Sequence, residues 1–332
     1  MIESIANALR ILGHFWLEEL QPNDLALIET LPELAETIPQ SGTAELTELS
    51  VEYQRLFGFN LPPYESVFID PAAMLMAPAT ERVQKLYQDA GWTPPAGARA
   101  GAPDHLGLEL LALADRLDQG STEVADRLQT RHLALWAPVF ILTLPRLDPH
   151  PFYTRLAELT LDLLLTLLPA NPVPPDLDPF PDLPPPPKFR GTEESWSQFE
   201  SAALEPDSSP SSDETDEIKA GLRSLIKRLL RPREAGLFLT RDDIARLGLA
   251  LNLPGAMGDR YRMLETLFRS AQQYDQLPSL SQQLSRIFTE ADSTYAALAH
   301  DYSAWTVYAK AWQKRLTATQ AVVTDLIIDS SL

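Results

Sequence analysis

The chain of 332 residues contains no cysteine. That absence excludes disulfides, thiolate zinc sites, cysteine-ligated iron–sulfur clusters and a cysteine nucleophile, and it fits a reducing compartment. Basic residues are few beside acids, 27 Lys and Arg against 46 Asp and Glu, for a net charge of -19. Such a charge repels a phosphate backbone and favours encounter with cationic partners, so nucleic acid is not an expected partner. No apolar run approaches the roughly 20 residues that span a bilayer. The stretch from Leu133 to Leu144 is short and is interrupted by Pro138. The N-terminus does not read as a signal peptide either, because Glu3 stands where a basic residue would be and Glu18 and Glu19 where a small-residue cleavage site would fall. The expectation is a cytoplasmic protein with no membrane insertion.

Motifs that carry chemistry are also missing. There is no G-x-x-x-x-G-K-[ST] phosphate loop, no G-x-G-x-x-G and no G-x-S-x-G. His14, His132, His150 and His300 show no ligand spacing, and the His105 to Glu109 spacing has no H-E-x-x-H partner beside it. His132, close to Trp136, reads as a satisfied core or interfacial histidine and not as a ligand. No catalytic residue and no metal site are expected, and a binding protein is favoured over an enzyme.

What is present is helical periodicity. Ile5, Leu9, Leu12, Trp16 and Leu20 form a stripe on one helix face. Asp24 can cap a second helix through Leu31, which Pro32 breaks. Thr43 can cap a third, carrying Leu46, Leu49, Tyr53 and Leu56 and ending at Gly58. Pro62 and Pro63 then stiffen a connection that holds Tyr64 and Phe68 as an aromatic edge. A helix over Thr80 to Ala90 gives way to a Gly/Ala/Pro-rich loop from Trp92 to Pro103, a candidate flap. Asp104 is expected at the N-cap of the next helix, with His105 just inside and Glu109 one turn further along. Leucine-rich helices follow over 122–135, across Pro138 to Leu144, and over 152–168. Without strand alternation anywhere in residues 1–168, this half reads as a compact all-α bundle.

Two runs here have a familiar form. Glu52, Arg55, Leu56 and Phe57, followed by Pro62, Pro63, Tyr64, Glu65, Ser66, Val67 and Phe68, make an E-x-x-R-L-F…P-P-Y-E-S-V-F pattern, and Pro103, Asp104, His105, Glu109 and Leu110 make P-D-H-x-x-x-E-L. In these residues, and across roughly residues 1–168, the chain resembles the TorD/DmsD/NarJ family of redox-enzyme maturation chaperones. It departs from the family where the usual glycine-rich linker is reduced to Gly58-Phe59-Asn60-Leu61.

The resemblance implies a TorD-like helical bundle that binds the apo form of a molybdoenzyme catalytic subunit, frequently through its twin-arginine signal peptide. The chaperone assists insertion of the molybdenum cofactor before export or assembly. No tightly bound cofactor is implied, only transient contact with molybdopterin guanine dinucleotide. On this reading Tyr64, Phe68 and Trp92 wall a groove for the peptide's apolar segment, Glu65, Asp104 and Glu109 accept its arginines, and Ser66 and His105 complete the client-binding set.

The second half changes character. Residues 169–217 hold the proline run Pro184 to Pro187 and then a Ser/Asp/Glu-rich stretch, expected to be a spacer and disordered tether. Residues 218–332 read as a smaller helical domain. Its first part is rich in arginine, and a long terminal helix over Ser293 to Ile328 carries Tyr295, Leu298, Tyr302, Trp305 and Trp312 on a three-four repeat. Such a seam is compatible with a homodimer, and it supports an alternative function as a non-catalytic adaptor that self-assembles through this helix.

Overall fold

The computed structural model describes residues 2–38, 43–170, 172 and 213–329. Most of the spacer read over 169–217 therefore lies outside the described residues. The chain divides into two compact units, residues 1–181 with 296–311, and residues 182–295 with 312–332. The regular elements among the described residues are helical, and the fold is all-α. None of these helices is long and apolar enough to cross a membrane.

The first unit contains α1 (Ile2–Leu17), the short α2 (Leu25–Ile28) and α3 (Pro32–Ala35), α4 (Thr43–Tyr53), α5 (Glu65–Ile69), α6 (Pro78–Asp89), α7 (Leu106–Asp118), α8 (Thr122–Leu128), α9 (Ala134–Thr143) and α10 (Pro151–Thr166). Helix α1 is the central post. Leu9, Leu12 and Trp16 of its predicted stripe are fully or almost fully buried. It crosses α7 at two glycines: a Cβ on Gly107 would lie 2.5 Å from the Gly13 carbonyl, and one on Gly13 would lie 2.9 Å from the Gly107 carbonyl. Backbone meets backbone here, a packing that only glycine permits.

Around this post the aromatic side chains interlock. Phe57 packs against Trp16, Tyr53 and Tyr153 with ring centroids 5.3, 5.1 and 5.6 Å away. The Trp16 indole donates to Thr160 Oγ1 at 2.9 Å, and the Tyr53 hydroxyl to the Trp16 carbonyl at 2.9 Å. Each fully buried aromatic of this kind contributes about 2–3 kcal/mol from burial.

Local structure departs from the sequence reading at several points in this unit, one being Asp24, whose side chain makes no cap bond to α2. Gly58 does not end the third helix. The chain passes through it in a π-helical turn over Gln54–Asn60, leaving Phe57 in the core and Phe59 at 63% exposure. A second π-helical turn, Gln129–Leu133, joins α8 to α9, and Pro138 lies inside α9. Proline has no N–H for the carbonyl one turn earlier, that of Ala134. The Trp305 indole N–H donates to that carbonyl at 2.9 Å, and the Tyr308 hydroxyl donates to the Thr130 carbonyl on the π-turn at 2.7 Å.

The second unit contains α11 (Asp213–Leu230), α12 (Pro232–Ala235), α13 (Arg241–Ala250), α14 (Arg260–Gln273) and most of α15 (Leu277–Asp301) and α16 (Thr306–Asp329). Thr240 and Asp243 form a reciprocal capping box on α13, the cap expected from Thr240-Arg-Asp-Asp. The long terminal helix is not continuous. It breaks at Tyr302, whose backbone turns extended at φ -121 and ψ 82, and restarts through the 3-10 turn Ser303–Trp305. The break lets Trp305 bury completely and Tyr302 donate to Asp162. Arg260, one of the clustered arginines, stacks 4.0 Å over Phe238 and donates to the Leu239 and Leu230 carbonyls. It is a strut of this unit, and burial lowers its pKa to about 10.

Candidate functional site

The two motif runs form one clamp. Leu106 N donates to Pro63 O at 2.9 Å and Glu65 N to Asp104 O at 3.0 Å, so Tyr64 and His105 meet in an isolated antiparallel bridge. The stiff Pro62-Pro63 turn supplies the extended backbone this bridge needs. The Asp104 carboxylate then accepts from Ser66 N at 2.7 Å and from Thr80 Oγ1 at 3.0 Å. It caps α5, not the helix that follows it. The cap of α7 is His105, whose Nδ1 accepts from Gly107 N at 3.1 Å. That contact requires an unprotonated Nδ1, and burial lowers the His105 pKa to about 3.

Behind the clamp lies a buried polar cluster. His132 on the π-turn donates from Nδ1 to Glu65 Oε2 at 2.8 Å, so this core histidine is satisfied by a carboxylate. Glu109 is fully buried, and neither of its carboxyl oxygens has a hydrogen-bond partner of normal geometry. Burial, then the neighbouring Glu65 and Asp104, raise its pKa well above the ordinary carboxylate range, with the Trp136 indole acting weakly in the other direction. Glu109 is therefore a neutral acid inside the fold. Tyr87, also buried, faces the same three carboxyl groups, and its hydroxyl likewise has no partner among the described residues. His105 and Glu109 are thus both internal, and Glu109, expected to accept a peptide arginine, is 0% exposed.

The remaining motif residues are structural. Arg55 grips Glu52 through Nε and Nη2 at 2.7 and 2.8 Å and donates to the Leu147 carbonyl at 2.8 Å, while Glu52 accepts from His150 N at 3.1 Å. Burial would raise the Glu52 pKa, but the bonds from Arg55 and His150 outweigh it and hold the carboxyl below its usual range. This pair fastens the corner before α10, where Asp148 takes a left-handed φ of 48.

A cleft of about 330 Å³ opens beside the clamp. Its exposed lining is mostly polar, from Glu18, Glu19, Gln21, Gln54, Tyr64, Arg99 and His105, while the nearly buried Leu17, Tyr53, Phe57 and Pro63 back it from the core. Glu19 is held by Ser50 and Gln54. Glu18 and Arg99 have no ion pair among the described residues. The candidate flap closes one side of this cleft. It is anchored by Trp92, 9% exposed and packed edge-on against Tyr87, and by Gly101 N, which donates to the Tyr64 hydroxyl at 3.2 Å.

Of the residues named from sequence, Tyr64 and His105 reach the cleft. Glu65, Ser66, Phe68, Asp104 and Glu109 are each 0% exposed and support it from behind. Sequence reading missed Glu18, Glu19 and Arg99. The Glu18-Glu19 doublet, directly after the last residue of α1, was the available signal. Among the described residues no group of His, Asp or Glu side chains could hold a metal ion.

The first unit is thus an all-helical domain in which two distant motifs are locked together at the edge of one cleft. A family model described as nitrate reductase delta subunit matches residues 21–142, a span that holds both motifs. Residues 21–142 are similar to this NarJ/TorD-type chaperone family. That family is non-catalytic and serves the maturation of molybdoenzymes. No curated protein matches the chain.

Proposed function

We propose that the protein is a cytoplasmic, system-specific chaperone that binds the apo catalytic subunit of a molybdoenzyme, through its twin-arginine signal peptide, and assists insertion of the molybdenum cofactor before export or assembly. The observation that carries this reading is the cleft: a mostly polar recess that holds the unpaired carboxylate of Glu18 and is backed by Phe57 and Pro63, sized for one or two side chains of a peptide and not for a folded partner.

The chemistry follows from the lining. A peptide guanidinium meets Glu18 in a directional, charge-assisted contact that lysine reproduces poorly. The adjoining apolar side chain packs on Phe57 and Pro63 against the edge of Tyr64. Micromolar affinity requires about -8 kcal/mol, within reach of one buried apolar side chain and one or two charge-assisted contacts. The buried carboxyl groups of Glu65, Asp104 and Glu109, together with Ser66 and Phe68, hold Tyr64 and His105 in position, and Trp92 anchors the flap that closes the cleft. Molybdopterin guanine dinucleotide is cargo on this reading, touched only in passing.

The test is cofactor loading. Apo catalytic subunit is incubated with molybdopterin guanine dinucleotide with and without the protein, and with a Glu18→Gln variant. Faster or more complete loading with the native protein and a reduced effect with the variant support the proposal; loading indifferent to the protein defeats it.

A further inference from the structure

The loop from α5 to α6 presents a second surface. Asp70, 3% exposed, pins both ends of it with one carboxylate: Oδ1 accepts from Ala72 N at 2.9 Å and Oδ2 from Ala79 N at 3.2 Å. Between those anchors Ala73 and Met76 adopt left-handed backbone, with φ of 50 and 58. Residues with a Cβ hold that conformation only where their surroundings enforce it. The frame turns Met74, Leu75 and Met76 outward, with 65%, 45% and 70% of their surface exposed, while Ala77 and Ala79 stay buried.

Single exposed apolar residues are ordinary, but three large ones in succession on a pinned, strained turn are not explained by folding. Burial would stabilise each of them, and the backbone works against it. Methionine adds a flexible thioether that adapts to varied apolar partners.

We propose that Met74, Leu75 and Met76 form a docking knuckle for an apolar stretch of the unfolded client polypeptide flanked by basic residues. The proposal rests on the reading of this protein as a chaperone for an apo-enzyme, and adds a contact outside the cleft. Charge selects this occupant. With a net charge of -19, a second copy or an anionic bilayer brings like charge against like, whereas a basic-flanked client segment is attracted. Pinning the turn also lowers the ordering cost on the chaperone side.

The experiment uses the full chain and a variant combining Met74→Ser, Leu75→Ser and Met76→Ser, whose exposed positions leave the core intact; matching melting temperatures verify this. One labelled probe is a synthetic peptide with a leucine–alanine run between lysine pairs, which the cleft holds poorly, and the other is a twin-arginine signal peptide. The expected result is that the triple variant loses at least about tenfold in affinity for the leucine–alanine peptide. Equal affinity of native protein and triple variant for that peptide overturns the proposal, whatever the signal peptide does. So does self-association of the native protein, or its binding to phosphatidylglycerol vesicles, if the triple substitution abolishes it. Native protein that ignores the signal peptide, yet binds the leucine–alanine peptide through the knuckle, refutes the cleft reading and leaves the knuckle standing.

Discussion

Asp104 accepts a hydrogen bond at 2.7 Å from the backbone N–H of Ser66, 38 residues earlier in the chain. One carboxylate therefore closes the first turn of α5 and, through Thr80 Oγ1, secures the start of α6. The two sequence motifs are complementary halves of this clamp, which explains why an Asp stands at position 104; residue 66 contributes its backbone N–H and not its hydroxyl.

Removing the carboxylate strands two buried donors. Asp104→Ala is expected to cost about 2–4 kcal/mol in urea unfolding, and Asp104→Asn less, because its amide oxygen still accepts one bond. A loss for Asp104→Ala below the error of the fit would mean that the clamp does not hold the fold.

The buried acid predicts a pH signature. Glu109 has a folded pKa raised above its unfolded value, so over the range between the two the folded state carries a proton that the unfolded state has released. Stability should fall as pH rises above the ordinary carboxylate range of about 4.5, by up to roughly 1.4 kcal/mol per unit. Glu109→Gln removes this slope: the variant gains on the native protein with rising pH, and the gain vanishes below about 4.5. A difference that does not vary with pH would show Glu109 ionised in the fold.

His105 acts in the opposite sense. Its folded pKa of about 3 lies below the unfolded value, so its contribution is complete above about 6.5 and is lost as pH falls toward 3. His105→Asn keeps a capping acceptor without the titration, and should flatten the acid limb of the stability curve between those values.

The crossing of α1 and α7 has no room for a methyl group. A Cβ at position 107 would meet the Gly13 carbonyl and Leu17, both at 2.5 Å, so Gly107→Ala should destabilise by about 1–3 kcal/mol. Gly255, around which nothing lies within 4 Å, is the control, and Gly255→Ala should change little.

Much of this architecture is legible in the chain because it depends on local pattern. The Leu9, Leu12, Trp16 stripe buries as its period requires, and Thr240 with Asp243 caps as that spacing dictates. The motif runs, though distant, could be associated through their resemblance to known relatives. What escapes is decided by tertiary partners. Asp104 obeys cap chemistry, but toward another segment, and no local rule names that segment. Glu65 and Glu109 look like surface acids until His132 and the helices around them enclose both. The stripe of Tyr295, Leu298, Tyr302 and Trp305 continues in phase through a break that no Pro or Gly marks. The reason for that break is the bond from Trp305 to the Ala134 carbonyl that Pro138 leaves free. Gly58 misleads because a π-turn carries a helix past a residue that usually ends one.

The most direct measurement is calorimetric titration of the folded protein with the twin-arginine signal peptide of its client, beside the twin-lysine form and the Glu18→Gln variant. The account predicts saturable binding to the arginine peptide, weakened at least about tenfold by either change, since each removes one charge-assisted contact. Equal affinity for all three combinations, or none for any in protein shown to be folded, would contradict a signal-peptide site in the cleft.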